Sequence, residues 1–154
     1  MKKNIAPFIE ENLDNDSGFL MLRVSKLWEE THEKILKKYY DISHIQYAVL
    51  ASIHWLILHE KKGVTQIKLS KHTKLSPMTI SQTIKILEAK DYVYRTSCKN
   101  DVRAKCSFLT SKGEDLMQKA FPVIFAADEK FFASLGKNRE RFNEYMARLL
   151  GDNE

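Results

Sequence analysis

Residues 69–93 read LSKHTKLSPMTISQTIKILEAKDYV, and the punctuation inside that run decides the fold. It describes a short helix, a tight turn, and a second helix opened by Ser76 and Pro77. Serine at an N-cap accepts from backbone N–H groups that have no partner inside the helix, and proline at the first helical position has no N–H to lose. In the second helix Ile80, Ile84 and Leu87 recur on one face, with Thr83 beside them. The opposite face carries Met78, Ser81, Gln82 and Lys85, flanked by Thr79. A short helix with hydroxyls, an amide and a lysine on its outer side can lie in a major groove and meet base edges and phosphates. An ordinary surface helix offers a similar face, so the residues downstream of it have to decide.

Those residues form a hairpin. Residues 92–98 and 105–109 have the composition of strands, and residues 99–104, KNDVRA, form a polar connection between them. Asp101 and Arg103 fall at this tip, between Lys99 and Lys105. A helix-turn-helix joined directly to a basic hairpin is a winged helix. The strands would brace the recognition helix, and the tip would reach the neighbouring minor groove, where an arginine gains from a narrow groove's negative potential. Asp101 would orient Arg103 through a charge-assisted hydrogen bond. A solvated turn pair is the plain alternative, and it would contribute almost nothing.

With those residues in view, the chain resembles the MarR-type winged-helix regulators of bacteria. The resemblance is carried by SPMTISQTIKILE, then DYVYR, then DVRA, then LTSKG. In that family's wing an Asp-x-Arg tip precedes a strand ending in Leu-Thr and a helix with an early glycine. Asp101, Arg103, Leu109, Thr110 and Gly113 keep that order. The chain departs from the pattern at Val102, where the family often carries another arginine. The resemblance spans roughly residues 18–150 and implies a mostly α fold with a small β-hairpin wing. Residues 43–110 would be the winged helix-turn-helix DNA-binding domain, with residues 17–42 and 111–150 as flanking N- and C-terminal dimerisation helices. It also implies a small lipophilic or phenolic effector, bound between the dimerising helices and the winged domain. Trp28, Tyr39, Tyr47 and Trp55 are aromatic enough to line such a pocket, although aromatic residues at helical spacing are also ordinary core.

Composition agrees with a globular regulator. The chain has 154 residues, 44% of them hydrophobic, with charges of both signs, enough to bury one core without staples. No apolar run approaches the roughly 20 residues that cross a bilayer. The N-terminal MKKNIAP has no apolar core of a secretory signal. Two cysteines without such a signal point to a reducing compartment, and the cytoplasm is the plain expectation. Net charge is +5, but residues 61–112 hold twelve Lys and Arg against three Asp and Glu. That segment is therefore +9 inside a remainder of −4, the electrostatic footprint of a face that binds a polyanion.

The rest of the chain reads as helices around this segment. Residues 1–16 form an arm whose Phe8 and Ile9 could pack on a partner subunit. Asp16 or Ser17 caps a helix to about Tyr40. Ser43 with Gln46 makes a capping box for a helix through about Leu58, apolar almost all round and expected at the centre of the fold. Thr65 caps the helix that would cross the DNA backbone. Thr110 caps a long helix with Pro122 inside it, which predicts a kink near Ala120. Asn138 is expected to cap the last helix. These end helices carry more phenylalanine, leucine and methionine than one side of a small winged domain needs to cover, which predicts a homodimer.

Base discrimination is expected from Thr79, Ser81, Gln82 and Lys85, with Met78 on the same face. Phosphate contacts are expected from Thr65, Gln66, Lys68, Ser76, Arg95 and Lys99. The five histidines have no ligand spacing, so no metal or other cofactor is expected. Glu29, Glu30 and Glu33 read as a solvated face, and no catalytic constellation occurs. Cys98 and Cys106 flank the tip on opposite strands. They are small apolar residues in a reduced protein, or a redox-sensitive pair that alters the wing. Two other winged-helix classes fit the same elements: a protein-interaction module, and an RNA-binding module that would stack bases on Tyr92, Tyr94 or Phe108.

Overall fold

The helix α2, His44–Glu60, is the post on which the other elements lean. Ser43 accepts from the Gln46 N–H, and the Gln46 side chain accepts from the Ser43 N–H, so the anticipated capping box is complete. Val49, Leu50 and Ile53 are fully buried along its inner face. Its far side is not: Ile45, Trp55 and Leu58 stay exposed in the single chain. The sequence is apolar all round, but only part of that surface is covered by the chain itself.

The computed structural model describes residue 9, residues 13–99 and residues 101–153. The expected packing of Phe8 lies outside them, as does Asn100. A 3-10 turn, Leu13–Asn15, leads into α1, Ser17–Tyr40, which is capped by Asp16. After α2 come a two-residue strand β1, Val64–Thr65, then α3, Gln66–Thr73, and α4, Pro77–Ala89. The wing is β2, Val93–Cys98, and β3, Asp101–Leu109. The chain closes with α5, Ser111–Phe131, a 3-10 segment, Phe132–Asn138, and α6, Arg139–Asp152. The architecture is thus mostly helical with a small antiparallel sheet in the order β1-β3-β2.

Strand β1 has no counterpart in the sequence reading. Val64 and Thr65 pair with Ser107 and Cys106, so the hairpin gains a third strand from the residues just before α3. This fixes the first helix of the helix-turn-helix to the base of the wing. Gly63 is part of the same joint, because a Cβ there would stand 2.3 Å from the Phe108 ring. The core closes around it: Leu36 and Ile42 from the N-terminal side, Leu69, Ile80, Ile84 and Leu87 from the helix-turn-helix, and Leu116, Met117, Ala120 and Ile124 from α5.

One other expectation changes. Helix α5 begins as anticipated with Thr110, whose hydroxyl accepts from the Gly113 N–H, and it continues as one helix through Pro122. Asn138, in contrast, makes no capping bond. Its backbone is already helical because the 3-10 segment runs straight into α6, whereas a capping side chain needs an extended backbone to reach the N2 or N3 amide. The turn between the two helices is made at Gly136, with φ +50° and ψ −130°.

Candidate nucleic-acid interface

Helix α4 owes its position to its buried face. Ile80, Thr83, Ile84 and Leu87 are buried in the core, and Ser76 accepts from the Thr79 N–H at 3.1 Å to start the helix. That fixes which side chains point outward. Met78, Gln82 and Lys85 are exposed and, at spacings of four and three residues, share one stripe along the helix. Thr79 and Ser81 are half-buried at its edges. The Thr79 hydroxyl is already hydrogen-bonded to the Ser76 hydroxyl at 2.8 Å. The side chains best placed to read bases are therefore Gln82 and Lys85, with Met78 at the N-terminal end.

Helix α3 enters the same surface from the other side of the turn. Thr65 accepts from the Lys68 N–H, capping the helix, with Gln66 half-buried at its first position. Lys68, however, is ion-paired with Glu60 of α2. That contact holds the Glu60 carboxyl below the usual range. Arg95 is likewise committed, 2.7 Å from Glu88 at the end of α4. Both cations were expected on phosphates. Here they brace the fold, and a phosphate would have to compete with a carboxylate for each. Lys71, Lys85, Lys99, Arg103 and Lys105 are exposed and have no ion pair among the described residues.

The wing differs in detail from its sequence reading. Lys99 turns directly after β2, and Asp101 already belongs to β3, paired with Cys98. The next pair is Ser97 with Lys105, so residues 102–104 form a bulge in β3. Bulges bend a strand and re-aim its side chains, and Val102 and Arg103 stand out fully from the surface. The contact expected between Asp101 and the Arg103 guanidinium is replaced by a local one. Asp101 Oδ1 accepts from the Arg103 backbone N–H at 2.9 Å, an Asx-type turn. The carboxylate shapes the bulge and leaves the guanidinium without an ion pair among the described residues.

Cys98 and Cys106 are joined in a disulfide, with Cα atoms 5.2 Å apart. This departs from the reading of them as small reduced residues. The bulge beside Cys98 and the Thr96–Cys106 register place the two thiols diagonally across the hairpin, within disulfide reach. Tyr94 and Phe108 stack on each other across the strands at 5.3 Å, holding the base of the wing.

The four aromatic residues grouped as an effector pocket do not converge. Tyr47 is buried, and burial, then the nearby Asp128 charge, pushes its hydroxyl up to about 12. Tyr39 lies on the rim of a depression with Tyr92 and Lys112. Trp55 lines a cleft of about 580 Å³ with His72, Met117 and Phe121. Trp28 lines a neighbouring one of about 680 Å³ with His44 and the three glutamates of α1. The two clefts share Ser52 and His72, and both lie between the end helices and the winged core.

The wall of the second cleft was invisible in the sequence. Trp28 Nε1 donates to Asp128 Oδ1 at 2.7 Å, and His32 Nε2 is 2.8 Å from the same oxygen, tying α1 to α5. His44 packs edge-on against Trp28, and its backbone N–H donates to Glu33. Glu33 is thus a second cap for α2 rather than part of a solvated face. Partial burial raises its carboxyl, but the His44 N–H and Lys37 outweigh that and hold it below the ordinary range. Burial, then the neighbouring His32, lowers the His44 ring. Among the described residues no three His, Cys, Asp or Glu gather as metal ligands, and no helix is long and apolar enough to cross a membrane.

Known proteins share this geometry. Residues 42–105 match the MarR family. The HTH-type transcriptional regulator YdcH of Bacillus subtilis (strain 168) is 30% identical over 133 residues, covering 86% of this chain and 88% of that one. Among solved structures, the S. aureus MepR–DNA complex superposes with a TM-score of 0.77 at 20% identity, over 92% of this chain and 99% of that one. CouR from Rhodococcus jostii RHA1, bound to p-coumaroyl-CoA, gives 0.77 at 24% identity over 90% and 94%. At such identities the structural likeness is one of fold. The relative in Bacillus subtilis is matched across most of both chains, and its likeness joins the matched helix-turn-helix and wing: the chain belongs to the MarR family of transcriptional regulators.

Proposed function

We propose that this regulator binds double-stranded DNA sequence-specifically as a homodimer, acting as a repressor on a pseudo-palindromic operator. The observation that carries the reading is the open stripe of Met78, Gln82 and Lys85 on α4, with an exposed Arg103 on the adjoining wing. In this reading α4 enters the major groove, Gln82 pairs with adenine, and Arg103 occupies the flanking minor groove. Residues 43–110 hold the DNA, and residues 17–42 and 111–150 join the subunits. The dimer is supported by an apolar groove between α1 and α6, lined by Leu20, Met21, Val24, Phe142, Met146 and Leu149. Surface of that kind is uncommon on a monomer. Two half-sites would then lie about one helical turn apart.

The paired clefts beside Trp28 and Trp55 are the place for an effector, a small lipophilic or aromatic molecule. It would act by binding the DNA-competent and incompetent arrangements unequally. The work is that of an intracellular, cytoplasmic DNA-binding protein and calls for no catalysis. Selection of bound sequences from random duplex DNA, and then titration at several salt concentrations, tests the central claim. A symmetric motif with an affinity that falls steeply with salt is expected. Failure to enrich any sequence, or binding indifferent to salt, overturns it.

A further inference from the structure

Among the described residues the three most exposed large apolar side chains are Val102 at 78%, Ile67 at 72% and Met78 at 71%. All three lie on the elements assigned to DNA: the wing, α3 and α4. The apolar residues left open on α1, α5 and α6 are accounted for by a second subunit. Met78 is not, because it stands in a line with Gln82 and Lys85 on the groove-facing side of α4. It occupies the second position of that helix, directly after Ser76 and Pro77. The N-terminal turn of a recognition helix is the part that meets base edges. A thioether there has no hydrogen bond to give a base. The major groove offers one apolar group, the C5-methyl of thymine.

We propose that Met78 reads a thymine methyl group in each half-site. This rests on the DNA-binding reading above and names a base it discriminates. Helix geometry also places that base. Met78 and Gln82 are four residues apart, so about 6 Å along the helix axis. Base pairs rise about 3.4 Å each. The thymine therefore lies about two steps from the adenine held by Gln82, on the side toward the N-terminus of α4.

The probe is the best duplex selected from random DNA, synthesised once with thymine and once with uracil, which differs only by the missing methyl. The full-length wild type should bind the thymine form more tightly, by about fourfold for each methyl buried and roughly tenfold or more for two half-sites. The salt slope should be the same for both forms, since no phosphate contact changes. Met78→Ala should bind the two forms equally, at close to the wild-type affinity for uracil, and Met78→Leu should keep the preference. Single uracil substitutions should place the effect about two steps from the position whose preference Gln82→Ala relaxes. Equal binding of both forms by the wild type, or a thymine preference that survives in Met78→Ala, overturns the assignment. If either occurs with a normal salt slope, the DNA-binding reading stands and only the role of Met78 is lost. A wild type that binds no duplex removes both.

Discussion

The winged core and the end helices are built from similar residues and finished to different degrees. In the core, α4 buries one face of Ile80, Thr83, Ile84 and Leu87, and its outer face is polar apart from Met78 and Ile86. Helix α6 has no buried residue at all, although Tyr145, Met146, Leu149 and Leu150 lie on it. Helix α1 likewise leaves Leu20, Met21, Leu22, Val24 and Leu27 exposed. Helix α4 thus buries most of its apolar surface within one chain, whereas α1 and α6 leave most of theirs open. Apolar surface removed from water contributes about 25 cal/mol per Å², so the unfinished half carries a strong drive to associate.

The largest effect should come from attacking that half. Leu149→Asp combined with Leu27→Asp puts unpaired carboxylates into the proposed intersubunit surface, where a buried charge is very costly. Light scattering should fall from twice the 18.0 kDa chain mass to the chain mass itself. Operator affinity should drop by several hundredfold or more, because one subunit then holds only one half-site. A wild-type protein that already runs at the mass of one chain would break the contrast between the two halves.

The joint where α5 meets the winged core should respond in stability. Gly113 is buried in the first turn of α5, and a Cβ there would lie 2.2 Å from the Tyr92 carbonyl oxygen. That atom is backbone and also accepts from the Thr110 N–H, so it cannot move aside cheaply. Gly113→Ala should lower unfolding stability by about 1–3 kcal/mol, the usual cost of overpacking, read as an earlier urea midpoint with an unchanged slope. An unchanged midpoint would mean that the joint between β2 and α5 is looser than its geometry.

Smaller and more selective effects belong to the proposed DNA face. Arg103→Ala should weaken all duplexes and flatten the salt slope by about one unit, because it removes a cation without removing base readout. Gln82→Ala should instead cost about 1–3 kcal/mol on the preferred sequence and little on others. Filter binding on the selected site and on scrambled DNA separates the two. Equal losses from both variants on every duplex would merge roles that the exposure of these side chains keeps apart.

What could be read in the sequence was what is local in the chain. The caps at Ser43, Thr65, Ser76 and Thr110 each act across three residues, so Ser76-Pro77 and the Ser43–Gln46 box announced their helices directly. The inner and outer faces of α4 came from one helical period. Long-range partners carried no such mark. Val64 and Thr65 find β3 more than forty positions on. Trp28 and His32 meet Asp128 across sequence separations of 100 and 96. Tyr39, Tyr47, Trp28 and Trp55 share a composition but not a cavity. The wing falls in between. Its strands and its Arg103 were readable, but the bulge at residues 102–104 and the Cys98–Cys106 bond depend on a register that only pairing sets. Lys68 and Arg95 read as free cations because Glu60 and Glu88 are brought to them only by folding.

The seam between the two halves offers the smallest effect and the finest test of how they are joined. His44 stands there, facing His32, Glu29, Glu33 and Asp128. Burial, then His32, lowers its ring in the folded chain. Its contribution to stability is therefore fully present above the ordinary histidine value near 6.5 and is lost as pH falls toward the lowered one, because the unfolded chain takes a proton that the folded ring resists. The Glu33 carboxyl is also lowered, but from 4.5, so its contribution holds constant through this window and declines only in stronger acid. Between pH 7 and 5.5 the wild type should lose urea stability relative to His44→Gln, by no more than about 1.4 kcal/mol per pH unit for one group. Gly113→Ala, which faces the Tyr92 backbone and none of the groups around His44, should keep the wild-type slope. If His44→Gln runs parallel to the wild type over that range, the seam is wet enough to leave the ring solvated. His44 would then be a bystander, and Asp128 with its two partners would tie α1 to α5 without any help from the winged core.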